Sequence, residues 1–473
     1  MRNFRFTAFL AAICLCIGLF ACPVTADAAE IAPLYELPET VKLSAQASLV
    51  ASLGNEQASD ILLAGTNIHT PRSPAALVRV LVGAYAATLI EKNKVDMDTA
   101  TGTYTYDCFH LIAGSGVATA QMNIGETWTV RDLLTMSMMQ TAGDAVVTLA
   151  VTLAGDHASF VSGMNDLAAS LGCKNTRFVN VTGLDAAGQV TTAYDLYLIM
   201  RYAISFPELR AMMGKIEYTV KPVSGGKETT WVTGNNLLRS STSSFYAPTE
   251  LGRTGYTDGA GRCLAAVASS GGYECLAVVL GCPPTDAEGN SNVQFADIKS
   301  LFKWSFSAFS YKVILSKGEL VDRIPVNHSW DGDAVALATK TDLSLVVPAE
   351  LDPNTLRRVI VRKTDKNGDP VTSINAPVTA GDVLGKIELY INLDTKIAEA
   401  DLVATDTLSR SGLLSVWDTL LKVATSPWLY GALGALILCL GIYIWAFISR
   451  NRSRRRGRTK KLAIRYKGGR KWN

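Results

Sequence analysis

An almost wholly apolar run follows the dipeptide Ser73-Pro74 in this sequence. Residues 80–90 offer too few polar side chains for a solvated helix face, so the pattern predicts a buried helix. Ser73 and Pro74 are residue types that favour the N-cap and the first position of a helix. Arg79 lies within the predicted helix, and a charge at a buried position needs a structural or functional reason.

Hydrophobic periodicity predicts further strands and helices on both sides of this run. Residues 46–65 alternate as two short strands, and residues 127–154 have a helical period that opens with a capping pattern at residues 129–132. Two apolar runs around the turn Ser269-Ser270-Gly271-Gly272 predict a hairpin, and residues 292–309 predict a closing helix.

The pattern changes after residue 310. Residues 311–406 form short alternating runs separated by Asp-Gly, Asn-Gly and Pro breaks, which predicts a small all-β domain. This part contains no recognisable catalytic grouping, so a stalk or protein-contact role is the plainer interpretation. Residues 407–425 have an amphipathic pattern, and we expect them to lie along a membrane surface.

An apolar segment near each end of the chain indicates export and membrane anchoring. Residues 1–28 combine a positive start, an apolar stretch and small residues at the end, which is typical of a signal peptide. A lipoprotein signal at Cys22 is the alternative, although Phe20 is bulky where a small residue is usual. Residues 428–448 carry no charge and are long enough to span a bilayer of about 30 Å.

The basic segment 449–473 follows this predicted span directly. Positive charge favours the cytoplasmic side, so the sequence predicts a single-pass cell-membrane protein with an extracytoplasmic body and a cytoplasmic tail. The formal net charge of +3 hides this distribution, because the exported part has about ten more acidic than basic residues. A basic stretch beside a span is typical of contact with anionic lipid, and we expect no nucleic-acid partner.

Cysteine and histidine spacing supports neither a metal site nor a disulfide framework. The exported body has an odd number of cysteines without metal-like spacing, namely Cys108, Cys173, Cys263, Cys275 and Cys282. None of the four histidines lies in a His-x-x-x-His or Cys-x-x-Cys setting. We therefore expect no metal and no cofactor.

Several long phrases resemble one family of enzymes. The phrase RSPAALVRVLVGAYAATLIE at residues 72–91 resembles the nucleophile helix of the low-molecular-mass penicillin-binding proteins, the D-alanyl-D-alanine carboxypeptidases. NTRFVNVTGL at residues 175–184 and TTAYD at residues 191–195 resemble two further segments of that family. INAPVTAGDVLGKIELYIN at residues 374–392 resembles its β-rich carboxy-terminal domain.

The resemblance implies an α+β fold. We expect a β-lactamase/transpeptidase-like domain, with an antiparallel sheet flanked by helices, followed by a small all-β domain and one carboxy-terminal transmembrane helix. The predicted boundaries are 1–28 for the signal peptide, 29–310 for the carboxypeptidase-like domain, 311–406 for the β-rich domain, 407–425 for the amphipathic juxtamembrane segment, 428–448 for the transmembrane helix and 449–473 for the cytoplasmic tail.

The resemblance fails at the positions that carry the family's catalysis. The family's nucleophile and base form Ser-x-x-Lys, and this chain has Ala76 and Arg79 in their places. Alanine cannot attack a carbonyl, and an arginine, whose high pKa keeps it protonated, cannot act as the general base. The family's Ser-x-Asn corresponds to Thr141 and Gly143, and Gly143 has no side chain to offer.

The family's Lys-Thr-Gly strand corresponds to Arg253-Thr254-Gly255. A guanidinium can pair with a carboxylate through two donors, so Arg253, Thr254 and Thr141 are the candidate substrate-binding residues, with Arg253 as the main contact. The alternative is an internal ion pair that holds a disused cleft shut, since Arg79 would be a second buried cation that also needs an acidic partner.

One literal Ser-x-x-Lys occurs, at Ser300 and Lys303. It lies on the predicted closing helix, away from the Thr141 and Arg253 segments in the family's order. We interpret it as a chance match.

Three functional hypotheses follow. The first is an exported, membrane-anchored homologue of the serine-type D-Ala-D-Ala carboxypeptidases of peptidoglycan metabolism, which is catalytically inactive and binds a peptidoglycan stem peptide or a cell-wall protein. The second is an enzyme with residual or relocated carboxypeptidase activity, and the third is a purely structural cell-envelope protein. Departures at all three motifs favour the first, because losing such a nucleophile costs on the order of 10⁶-fold in turnover.

Overall fold

The computed structural model describes residues 33–140, 142–364, 368–391 and 395–465, with side chains as far as residue 452. The predicted signal peptide, Thr141 and residues 466–473 of the tail lie outside the described residues. The chain divides into two compact units. The first comprises residues up to Ile314 together with Leu343–Arg357 and Leu389–Glu399, and the second comprises the remainder.

The first unit mixes strands and helices, as the α+β prediction requires. Its elements up to residue 315, in chain order, are β1 (Ala47–Ser52), β2 (Ile61–Thr66), a 3-10 helix (Ala75–Leu77), α1 (Val78–Asn93), β3 (Thr101–Thr103), α2 (Tyr106–His110), β4 (Thr127–Thr129), α3 (Val130–Met139), α4 (Gly143–Ala154), α5 (His157–Ser170), α6 (Ala193–Ala203), α7 (Pro207–Gly214), β5 (Glu217–Val220), β6 (Thr229–Val232), β7 (Thr249–Thr257), β8 (Gly261–Ser270), β9 (Tyr273–Cys282), α8 (Val293–Ala308) and β10 (Phe309–Leu315).

A five-stranded antiparallel sheet is the centre of this unit, with the strand order β2-β1-β9-β8-β7. Successive side chains of a strand point to opposite faces. Val278 and Val279 on β9 are both fully buried, so both faces of the sheet are covered there. This explains why the central strands are continuous apolar runs rather than alternating ones.

Helix α1 is buried as predicted. Leu81, Ala84 and Ala86 have no exposed surface, and α1 packs against α3, α4, α5 and α6. Helix α3 begins at the predicted capping pattern, where the hydroxyl of Thr129 accepts from Asp132 N. Helix α6 begins in the same way, since the hydroxyl of Thr192 accepts from Asp195 N. The sequence pattern therefore located α1 and α3 correctly.

The start of α1 differs from the prediction, and the N-cap role of Ser73 is wrong. A 3-10 helix precedes α1, and no side chain caps either of them. Ala75 has a φ of 47°, which interrupts the helical backbone directly after Pro74. The Ser73 hydroxyl instead donates to Asp185 Oδ1 at 2.9 Å.

The chain after residue 315 is rich in strands, as expected. Its elements are β11 (Leu320–Asn327), β12 (Ala334–Thr339), β13 (Leu343–Pro348), a 3-10 helix (Pro353–Thr355), β14 (Arg357–Arg362), β15 (Ile374–Asn375), β16 (Val383–Ile391), β17 (Thr395–Ala404), α9 (Gly412–Ala424) and α10 (Pro427–Arg465). Six of these strands form one sheet in the order β14-β16-β17-β12-β11-β15. Strand β11 pairs antiparallel with β12 and parallel with β15.

The last two helices expose many apolar side chains. Leu413, Val416 and Trp417 on α9 are exposed. The part of α10 from Pro427 to Arg452 is long and apolar enough to cross a membrane, and none of its most apolar stretch is buried inside the protein. A helix of this kind fits a membrane anchor, because lipid would surround its exposed apolar side chains with an apolar environment.

Candidate functional site

Three of the segments that the sequence singled out meet at the start of α1. The 3-10 helix carries Ala76, α1 carries Arg79, and β7 carries Arg253 and Thr254. A Cβ at Gly255 would lie 2.6 Å from Ala76 N, which shows how closely β7 passes the 3-10 helix. The segments that carry Ala76, Arg79 and Arg253 are therefore neighbours in the fold.

A loop that follows α5 completes the enclosure of position 76. Gly183 has a φ of +86°, and a Cβ at this residue would lie 2.3 Å from Ala75 O. The side chain of Asn180 holds the loop in place, because its Oδ1 accepts from Thr182 Oγ1 at 3.0 Å and from Gly183 N at 2.8 Å. Ala76 is only 4% exposed as a result.

Arg79 has no exposed surface, and its guanidinium is directed at backbone carbonyls. Nε and Nη2 each donate to Thr182 O at 3.3 Å, and Nη1 donates to Gln140 O at 3.1 Å. Arg79 therefore ties α1 to the 180–184 loop and to the end of α3.

Arg253 reaches the same place from β7. Its Nη1 donates to Met138 O at 2.8 Å and its Nη2 donates to Gln140 O at 2.7 Å. These carbonyls lie at the carboxy-terminal end of α3, where the helix dipole favours a cation. Arg253 is 3% exposed, so its guanidinium closes the end of α3 rather than facing solvent.

Burial governs the electrostatics of this arginine pair. Burial lowers the pKa of Arg253 to about 10. The pKa of Arg79 is also lowered, first by burial and then by the charge of Arg253, while Asp144 acts in the opposite direction. Both groups still donate to carbonyl acceptors, and this hydrogen bonding favours the charged guanidinium.

Asp144 is the buried acid of this region, and backbone amides occupy its carboxylate. Its Oδ1 accepts from Ala120 N at 2.8 Å and from Ala145 N at 2.9 Å, and its Oδ2 accepts from Met122 N at 3.0 Å. Asp144 thus holds the segment before α3 to the first turn of α4, where a negative charge is favoured by the helix dipole.

The remaining predicted site residues make few contacts that bear on function. Thr254 is half-buried and donates to Cys263 O at 3.2 Å. Gly143 begins α4, and a Cβ at this residue would lie 2.7 Å from Val117 Cγ1, so Val117 fills the space beside it. Thr141 lies outside the described residues. Ser300 and Lys303 are on α8, and neither has a hydrogen bond to the residues described above.

The sequence did not reveal the partners of the two arginines. Those partners are main-chain carbonyls of Met138, Gln140 and Thr182, and every residue type has such a carbonyl. Thr182 does lie within the phrase NTRFVNVTGL, but its residue type names no partner for Arg79. Within the part of the chain that the structure describes, no group of three His, Cys, Asp or Glu side chains could hold a metal ion.

Comparison with protein families covers both parts of the chain. The model for D-alanyl-D-alanine carboxypeptidase matches residues 38–284, which is more than half of the chain. This chain belongs to the D-alanyl-D-alanine carboxypeptidase family. The model for the carboxy-terminal domain of penicillin-binding protein 5 matches residues 309–410. The family that the sequence phrases indicated is therefore confirmed.

Individual relatives match this family member along most of their length. D-alanyl-D-alanine carboxypeptidase DacF of Bacillus subtilis is 25% identical over 367 residues, which cover 78% of this chain and 86% of the relative. D-alanyl-D-alanine carboxypeptidase DacD of Escherichia coli is 29% identical over 360 residues, which cover 75% and 85% of the two chains.

Solved structures confirm the fold. Penicillin binding protein 6B from Escherichia coli is 25% identical with a TM-score of 0.56, and the match covers 77% of this chain and 97% of that chain. A peptidoglycan synthesis regulatory factor from Streptococcus pneumoniae has a TM-score of 0.64 over 78% of this chain and all of that chain. At 18% identity, the second likeness shows the fold alone.

The close approach of β7 to position 76 gives a testable prediction. We expect Gly255→Ala to destabilise the protein by about 1–3 kcal/mol, because its Cβ would meet backbone atoms that cannot move aside. Gly234→Ala is the matched control, since its Cβ would meet only Thr254 Cγ2 at an ordinary 3.6 Å. Thermal unfolding measures both variants, and equal midpoints would contradict the close approach.

Proposed function

We propose that this protein is a membrane-anchored member of the carboxypeptidase family that serves peptidoglycan metabolism without forming an acyl-enzyme. The observation that carries the proposal is the pair Ala76 and Arg79. The first offers no hydroxyl, and the second spends its donors on the carbonyls of Thr182 and Gln140. A binding role, for a wall peptide or an envelope protein, is what remains for a family member without this chemistry.

Arg79 supplies no general base for this chemistry. A base must have a lone pair within hydrogen-bond reach of the nucleophile's proton. Burial lowers the pKa of Arg79, but three N–H donors facing carbonyl oxygens hold the group as a cation. The surroundings of Arg79 therefore favour a structural role over proton transfer.

Enclosure adds a second obstacle to acylation. Ala76 lies between the 180–184 loop and β7, and 4% of its surface is exposed. An acyl donor would have to approach within about 3–3.5 Å of the reacting atom. Position 76 is therefore both chemically inert and sterically covered.

Reversible binding of a peptide carboxylate by Arg253 and Thr254 stays a prediction. It would require the guanidinium of Arg253 to become accessible, because Arg253 is 3% exposed and both of its terminal nitrogens already donate to the carbonyls of Met138 and Gln140. Charge-assisted bonds of this kind contribute about 1.5–3 kcal/mol each, so a ligand would have to replace them. The geometry therefore favours the closed cleft over the peptide site.

The anchor and its orientation complete the proposal. The α10 stretch Pro427–Arg452 fits a membrane span. The basic segment 449–473 begins within the last residues of this stretch and continues beyond it. The positive-inside rule then puts the tail in the cytoplasm and the cleft outside, where peptidoglycan is found.

The proposal predicts that a fluorescent penicillin forms no covalent adduct with the full chain in membranes. Position 76 is an alanine, so no acyl-enzyme bond can form there. A catalytically active relative labelled in the same membranes is the positive control. A labelled band that disappears in Ser73→Ala or Thr141→Ala would overturn the proposal, and one that disappears in Ser300→Ala would assign the chemistry to α8.

Calorimetry distinguishes the closed cleft from a peptide site. We expect no Arg253-dependent heat when a peptide ending in D-Ala-D-Ala is added at millimolar concentration, because the guanidinium of Arg253 is buried and both of its terminal nitrogens donate to carbonyl oxygens. The same peptide with an amidated end is the control for carboxylate recognition. Heat that is lost both on amidation and in Arg253→Gln would show that the cleft binds the carboxylate.

Protease accessibility tests the orientation. We expect protease added to intact cells to remove the β-rich part and to spare an epitope placed after residue 473, because the basic segment remains inside. Permeabilised cells are the control and should lose the epitope. Loss of the epitope from intact cells, with the β-rich part retained, would refute the orientation.

A further inference from the structure

Helix α9 has an apolar side and a polar side. Its exposed apolar residues follow the i, i+3, i+4, i+7, i+8 spacing of one helix face, namely Leu413, Val416, Trp417, Leu420 and Leu421. Asp418 and Lys422 lie on the other side, and Lys422 Nζ is 2.7 Å from Asp418 Oδ2. Exposures of 48–77% show that the described residues leave the apolar face of α9 uncovered.

The polar side of α9 is attached to the β-rich part of the chain. The contact is made by the 328–333 loop, which connects β11 to β12. His328 Nε2 lies 3.1 Å from Asp418 Oδ2, and His328 O accepts from Ser411 N at 2.7 Å. The loop and α9 both belong to the second unit of the chain. The side of α9 that faces protein is therefore known, and the apolar face is directed elsewhere.

The 328–333 loop also carries an exposed tryptophan. Trp330 is 70% exposed, and among the described residues its ring has no hydrogen-bond or ring partner. Asp331, the next residue, accepts through Oδ2 from Ser409 N at 2.8 Å. Trp330 therefore lies between two residues, His328 and Asp331, that are both bonded to the segment at the start of α9.

The other end of α9 leads directly into the stretch that fits a membrane span. Helix α9 ends at Ala424, and α10 begins at Pro427. A helix of 13 residues is about 20 Å long. The loop is bonded to the N-cap Ser411 and to Asp418 in the second turn. Helix α9 is therefore held by the loop near its start and by the span after its end.

A bilayer fits this surface better than a protein partner does. The exposed face of α9 is followed closely by the stretch Pro427–Arg452, whose most apolar part is entirely unburied. Such a continuous apolar surface is larger than a soluble monomer normally exposes to water. A protein partner would have to cover α9 where the span already holds the chain against lipid. Continuity with the span therefore favours the bilayer as the occupant.

We propose that the 328–333 loop is a second membrane contact, in which Trp330 enters the interface of the bilayer that α10 crosses. Tryptophan favours this level of a bilayer, because its ring is apolar while its N–H still reaches headgroups or water. His328 and Asp331 position the ring through their bonds to the start of α9. The inference rests on the proposed anchor, and it gives the β-rich part a lipid contact in addition to a stalk role.

Quenching by brominated lipid tests the proposal on the full chain in liposomes. Bromine quenches tryptophan only at close range, so phospholipids brominated near the headgroup end of their acyl chains report which rings contact the bilayer. The emission of one ring is the difference between the parent chain and the variant that has phenylalanine in its place. We expect the emission that Trp330→Phe removes to fall by about half or more in brominated liposomes.

Two other tryptophans separate this inference from the anchor. Trp428 lies at the start of the proposed span, so quenching of the emission that Trp428→Phe removes reports the anchor itself. Trp128 is 6% exposed in the core of the first unit, and its emission should not change. If Trp428 is quenched and Trp330 is quenched no more than Trp128, the anchor stands and the second contact is overturned. If Trp428 is not quenched, the anchor fails and this inference fails with it.

Variants of the contact with α9 test the positioning role of His328. Asp418→Ala removes the acceptor, and His328→Asn shortens the side chain while tolerating the φ of 63° at this position. We expect both to lose most of the Trp330 quenching and to keep that of Trp417, because α9 retains its own apolar face. Lys422→Gln is the matched control, since Lys422 contacts Asp418 from within α9. Unchanged Trp330 quenching in both contact variants would overturn the positioning role.

Discussion

The carbonyl oxygen of Gln140 is the point on which the architecture of the cleft depends. It accepts from both Arg79 and Arg253, and so joins α1, β7 and the end of α3 through one atom. Arg79 extends the connection to the 180–184 loop through Thr182 O. Lysine could not reproduce this arrangement, because an ammonium is a point charge whereas a guanidinium spans separate acceptors with a rigid, planar set of donors.

The fold does not need catalytic side chains at this point. Its stability comes from buried apolar side chains. They lie on both faces of the central strands and along α1. Buried apolar surface stabilises the fold by about 25 cal/mol per Å². This contribution does not depend on whether the residue at position 76 carries a hydroxyl. The family's architecture is therefore compatible with Ala76, Arg79 and Gly143 at the positions that the resemblance assigns to its motifs.

The sequence predicted the fold and part of the candidate site. Periodicity and a capping residue located α1 and α3, since these signals are local. That the strand of Arg253 passes the segment of Ala76 agrees with the family resemblance and has no signature in the local pattern. The hydrogen-bond partners did not follow, because a main-chain carbonyl such as Thr182 O has no signature in the residue type. The prediction of Ser73 as an N-cap was wrong for a related reason. Its hydroxyl donates to Asp185, which is more than 100 positions away in the chain, and does not cap the helix that follows.

Chemistry and packing at position 76 constrain each other. A serine there would have Arg79 three positions further along the chain, and a guanidinium can donate a hydrogen bond but cannot accept the proton. A lysine at position 79 would supply a titratable group, yet it would give up the two bonds by which Arg79 holds Thr182. The loop that covers position 76 carries Thr182 and Gly183. Displacing this loop would expose position 76 and would also break the hydrogen bonds between the loop and Arg79 on α1. Under the proposed assignment of positions 76 and 79, acyl-enzyme chemistry would therefore require both residues and the loop contacts to change in concert, because each single change leaves the other two obstacles in place.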